Sequence, residues 1–130
     1  LYGDMNGGLA VISDLNKLEV YALSKWYNKL NDDTIPVNSI NKFPSAELSY
    51  NQVDPFDYKI ISPLVDILIE NKIKLEELVT EKVDLKLLKS LYEKIKTNEF
   101  KRYQSTLGLK ISEKAFGVGR RFPIVNNFDV

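Results

Sequence analysis

The chain has 130 residues, 44% of them hydrophobic, with 18 lysines and arginines against 18 acids and neither histidine nor cysteine. That length supports one domain with a core of its own, and the two missing residue types exclude Cys-His and Ser-His catalysis, disulfides and the usual zinc sites. Zero net charge argues against a module that grips nucleic acid by bulk charge, and no apolar run approaches the roughly eighteen residues that span a bilayer.

The opening, LYGDMNGG, is rich in glycine, asparagine and aspartate and predicts a turn-rich start to a loop over 1–14, in which LAVIS, Leu9 to Ser13, is short and extended or buried. Ser13 or Asp14 is placed to cap a helix over 15–30, in which Leu15, Leu18, Ala22, Leu23, Trp26 and Leu30 recur at helical spacing. The Asn31-Asp32-Asp33 cluster ends it. Residues 34–55 hold Pro36, Pro44 and Pro55 among serines and asparagines and predict a long loop, of the length usually tied to function.

Helices are expected across 56–105. The first is capped by Asp54 or Asp57 and buries Ile60, Ile61, Leu64, Val65, Leu68 and Ile69; Pro63 should kink it or move its start to Ser62. LEELVTE makes a short helix. Asp84 caps a last one, with Leu85, Leu88, Tyr92 and Ile95 on a face widened by Leu87 and Leu91, and Lys82, Lys86, Lys89 and Lys94 in solvent; it should run on toward Tyr103.

Residues 106–130 read as an irregular basic tail. From Phe100 onward six bases face two acids, whereas 1–50 carry six acids and four bases, and 51–99 carry ten and eight. The basic end is therefore a local device, either a solvated tail or a seat for a small polyanion.

Four patterns stand in order: YGDMNGGLAVISDLNKLEVY, KFPSAEL, NEFKRYQ and GLKISEKAFGVGRRFPI. Together they resemble the C-terminal part of NAD+ synthetase, more closely its glutamine-dependent form, along almost the whole chain. The resemblance implies an ATP- and Mg2+-using ligase that adenylates the nicotinate carboxylate of deamido-NAD, releases pyrophosphate, and lets ammonia from glutamine displace AMP. It implies that Asp4, Phe100 and Lys101 lie at deamido-NAD, that Lys17 lies at the ATP phosphates, and that Ser45 offers a hydroxyl to ATP from a mobile loop over 34–55. Ser45 stands where the family often has threonine, a mild change because both offer a hydroxyl. Lys17 falls in the first turn of a helix, where the macrodipole favours acids, a small local cost that hints independently at function.

Ammonia-dependent relatives commonly have histidine at the position of Phe100 and lysine at that of Leu1. Both departures favour the glutamine-dependent branch. Arg102, Arg120 and Arg121 belong to the pattern without individual ligands, with salt bridging as their plainer role.

The family's SGGxDS pyrophosphate loop and the glutaminase cysteine do not occur in these 130 residues. The chain is thus expected to be a C-terminal portion of the synthetase domain, inert alone and mainly α, cut from an α/β adenine nucleotide alpha-hydrolase-like (ATP pyrophosphatase) fold. The resemblance further implies a cytoplasmic homo-oligomer, dimeric through this domain, with neither nucleic acid nor membrane as partner. The competing expectations are a non-catalytic helical module with a basic C-terminal docking segment, and a fragment of an ammonia-dependent synthetase.

Overall fold

A computed structural model describes residues 7–70, 73–117 and 119–125. The architecture is mainly helical. In chain order it runs β1 (Leu9–Ala10), α1 (Lys17–Leu30), α2 (Val37–Asn41), α3 (Tyr58–Glu70), a 3-10 turn (Leu75–Leu78), α4 (Leu85–Thr97), α5 (Glu99–Gln104) and β2 (Leu107–Gly108). Two compact units are distinguished: Asn16–Pro63, and the chain up to Leu15 together with that from Leu64 onward.

In the Asn16–Pro63 unit, α1 starts later than the apolar spacing suggests. Its cap is Asn16, not Ser13 or Asp14: the Asn16 side chain accepts from the Glu19 amide at 3.0 Å while the Glu19 carboxylate accepts from the Asn16 amide at 2.8 Å. This reciprocal capping box satisfies two amides at once, and both earlier candidates bond elsewhere. The helix ends where Asp32 and Asp33 take positive φ. Asn28, buried, pins the chain beyond it by donating to the Ile35 carbonyl at 2.8 Å and accepting from the Ile35 amide at 2.9 Å.

The apolar stripe of α1 is open to solvent, with Trp26 57% and Leu30 64% exposed. Within 34–55 the chain forms α2, a turn of helix in a stretch read from its prolines as loop. That helix follows Pro36, its N-cap, which makes no side-chain capping bond.

Asp57 caps α3, its carboxylate accepting from the Lys59 amide at 3.0 Å and its carbonyl from the Ile60 and Ile61 amides. Asp54 does not; it accepts from the Tyr58 hydroxyl instead. The helix begins at Tyr58, not Ser62, and Pro63 lies inside it. Ile61, Leu64 and Leu68 form its buried stripe.

In the other unit, β1 and β2 pair in parallel, Leu9 with Leu107 and Ala10 with Gly108. Gly108 passes close to Ser13: a Cβ there would lie 2.1 Å from the Ser13 hydroxyl oxygen, which would have to turn away. Asp84 caps α4 by accepting from the Leu87 amide at 2.7 Å. Leu88 and Leu91 are buried, and the four lysines assigned to solvent are exposed. The helix does not run on to Tyr103: Asn98 closes it, its amide and side chain donating to the Lys94 carbonyl, and α5 follows as a separate turn. Among the described residues of this unit, Leu64, Leu68, Leu75, Val83, Leu88, Leu91 and Ala115 are the buried apolar ones.

Candidate functional site

Lys17 is the first residue of α1 and is exposed. Tyr21, one turn along the same helix, and Tyr58, the first residue of α3, flank it, with the Lys17 Nζ 5.7 and 5.9 Å from their ring centroids. An ammonium at that range is attracted to a ring face. Tyr58 donates to the Asp54 carboxylate at 2.6 Å. Burial, then that bond and the Asp54 charge, push the Tyr58 phenol up to about 12, so the ring stays neutral. Tyr21 and Tyr58 also line a cleft of about 590 Å³ with Leu18, Lys25, Phe43 and Phe56.

Ser45 lines a second cleft in the same unit, of about 640 Å³, with Lys42, Phe43, Glu47 and Tyr50. Phe43 is common to both clefts. The segment carrying Ser45 is tied at its ends, the Asp54 amide donating to the Pro44 carbonyl at 2.8 Å. Lys42, just before it, pairs with Glu47, and within it the Leu48 amide donates to the Gln52 side chain. Glu47 holds a left-handed φ of 54°, uncommon for a residue of its kind, and its amide donates to the Ser45 oxygen at 3.0 Å. That bond uses the oxygen of Ser45 and leaves its hydrogen to donate.

Phe100 and Lys101 sit in the first turn of α5, both exposed, in the unit that also holds the basic end. Asp4 lies outside the described residues. Among the described residues no group of three or more carboxylates is placed to hold a metal ion.

Much of the basic segment is absorbed internally. Glu99 and Arg102 form a buried ion pair, and Arg102 also donates to the Phe116 and Gly117 carbonyls. Glu99 additionally accepts from the Phe122 amide at 3.0 Å, while the Phe122 ring meets Tyr92 edge-on at 6.1 Å. Burial raises the Glu99 carboxyl, but the Arg102 and Phe122 bonds outweigh it and hold the group below its usual value. Lys114 donates to the Ile69 and Glu70 carbonyls at 3.2 and 2.7 Å, satisfying the end of α3. Arg120 lies over Phe116, its guanidinium 5.6 Å from the ring centre.

Asp14 organises the same segment. Its carboxylate accepts from the amides of Ile111, Ser112 and Phe116 at 2.6–2.7 Å and from the Ser112 hydroxyl at 3.0 Å. Burial raises its pKa, yet these bonds prevail and hold it below the ordinary aspartate value. Asp14, Glu99, Tyr21, Asp54 and Tyr58 were not singled out as functional from the sequence. Only the spacing of Lys17 and Tyr21, one helical turn apart, offered a signal.

The family model described as NAD synthase matches residues 1–105. The chain is 40% identical to the glutamine-dependent NAD(+) synthetase of Thermotoga maritima over 98% of its own length and 23% of that protein's. It is 37% identical to the protein of the same name from Synechocystis sp., again over 98% and 23%. Among solved structures it is similar to a glutamine-dependent NAD+ synthetase from Acinetobacter baumannii in complex with ADP, at 30% identity and a TM-score of 0.50, covering 96% of this chain and 22% of that one. The chain thus spans about a quarter of the length of these relatives.

Proposed function

The chain belongs to the NAD synthase family, and from that premise we propose that it is the C-terminal part of a cytoplasmic, glutamine-dependent NAD+ synthetase. The helical elements then belong to an adenine nucleotide alpha-hydrolase-like domain. The reaction is ATP-dependent amidation of deamido-NAD. The nicotinate carboxylate oxygen attacks the α-phosphorus of ATP and pyrophosphate leaves. Ammonia released from glutamine attacks the activated carbonyl carbon, AMP departs with the bond electrons, and the nitrogen loses a proton.

The observation that carries this is the exposed Lys17 ammonium at the N-terminal end of α1. Helix amide dipoles and a fixed cation there both favour a polyanion. Lys17 and the Ser45 hydroxyl address the ATP phosphates; Asp4, Phe100 and Lys101 address deamido-NAD. None of these acts on the reacting atoms, and the residues that cradle pyrophosphate come from elsewhere in the synthetase. Magnesium enters with ATP as its chelate.

The internal use of Arg102, Lys114 and Glu99 speaks against a basic docking tail. Lys17→Ala and Lys101→Ala in the complete synthetase test the assignment. Loss of a charged hydrogen bond predicts roughly ten- to a hundredfold lower kcat/KM, for ATP in the first and deamido-NAD in the second. Unchanged rates and Michaelis constants reject the role at that position.

A further inference from the structure

Building on the role given to Lys17, we infer that Tyr58, braced by Asp54, and Tyr21 are positioning residues that hold the Lys17 ammonium ready for the nucleotide phosphates. The two rings come from different helices and stand 5.7 and 5.9 Å from the same nitrogen. Tyr21 is set by helical geometry, since residues four apart share a face. Tyr58 is set differently: its hydroxyl is anchored at 2.6 Å on Asp54, which fixes the ring's rotation.

An unrestrained lysine samples many rotamers, and ordering it opposes phosphate binding. Two half-buried rings beside an exposed ammonium restrict that sampling without covering the charge. Donation from the phenol to a carboxylate also enriches the Tyr58 ring in electron density, which strengthens its hold on a cation. Phosphate oxygens, carrying full charge, then compete successfully for the ammonium.

The test is steady-state kinetics of the complete synthetase with ATP varied, for Lys17→Ala, Tyr58→Leu, Asp54→Asn and the doubles of each with Lys17→Ala. Tyr58→Leu is expected to lower kcat/KM for ATP about fivefold, with KM for deamido-NAD unchanged. Asp54→Asn, which preserves packing, should move it about twofold in the same direction. In the Lys17→Ala background neither change should matter, because the group being positioned is gone. Losses that multiply with Lys17→Ala, or wild-type ATP kinetics in both single variants, overturn the positioning role alone. A silent Lys17→Ala overturns the phosphate role of Lys17 and this inference with it.

Discussion

At Gly119 the space for one methyl group decides whether the C-terminal segment closes. A Cβ there would sit 2.8 Å from the Ala115 amide nitrogen, a backbone atom that cannot swing aside, whereas one at Gly117 meets nothing within 4 Å. Gly119→Ala is therefore expected to cost about 1–3 kcal/mol and Gly117→Ala less than about 0.5 kcal/mol, read by urea unfolding of the two variants side by side. Equal costs would show that the segment does not pack this way. GVG is conspicuous in the sequence, yet nothing in it says which glycine is needed, because the obstacle is set by how the loop folds back. Asp14 teaches the same lesson: beside a helix start it reads as a cap, while its bonds go to amides up to 102 residues away.

At the scale of elements, caps and carboxylate clasps set the response to acid. The Asp14 and Glu99 carboxyls are both held below their usual values, in each case against the opposing effect of burial. A folded pKa below the unfolded one adds stability that is complete above the unfolded value, about 4, and is lost as pH falls through the folded value. Unfolding free energy should thus decline as pH drops below about 4, and Asp14→Asn should flatten that acid limb while lowering stability at neutral pH. An unaltered limb would remove Asp14 from the clasp. Tyr58 has the opposite sign. Its phenol, raised to about 12, contributes below the unfolded value and loses that contribution as pH climbs toward 12. The caps of α3 and α4 were legible in Asp57 and Asp84, since capping depends on residues a turn apart. The cap of α1 was also present in the text of the chain, as Asn16 and Glu19, but apolar spacing drew the start too early.

For the molecule as a whole, the open stripe on α1 is the conspicuous feature. Leu23, Trp26, Tyr27 and Leu30 are all at least 40% exposed, and Phe43, Leu48 and Tyr50 are more so. Soluble monomers rarely leave a contiguous apolar patch of this kind uncovered. The 130-residue chain produced by itself is expected to bind a hydrophobic dye and to scatter light above its monomer mass of 14.9 kDa. Replacing Trp26 and Leu30 by lysine should lessen both signals. A dye-silent monomer at high concentration would mean that the stripe is covered from within.

The sequence by itself determined the helical character, most of the apolar registers and, through four ordered patterns, the family. Each is written in spacing along a short stretch of chain, where helix geometry dictates which residues share a face. Tertiary structure alone decided that Arg102 is bound to carbonyls 14 and 15 residues on, that Lys114 closes α3, and that Tyr58 comes to stand beside Lys17. Those pairings join segments far apart along the chain, so they follow from which buried groups must find partners once the helices pack.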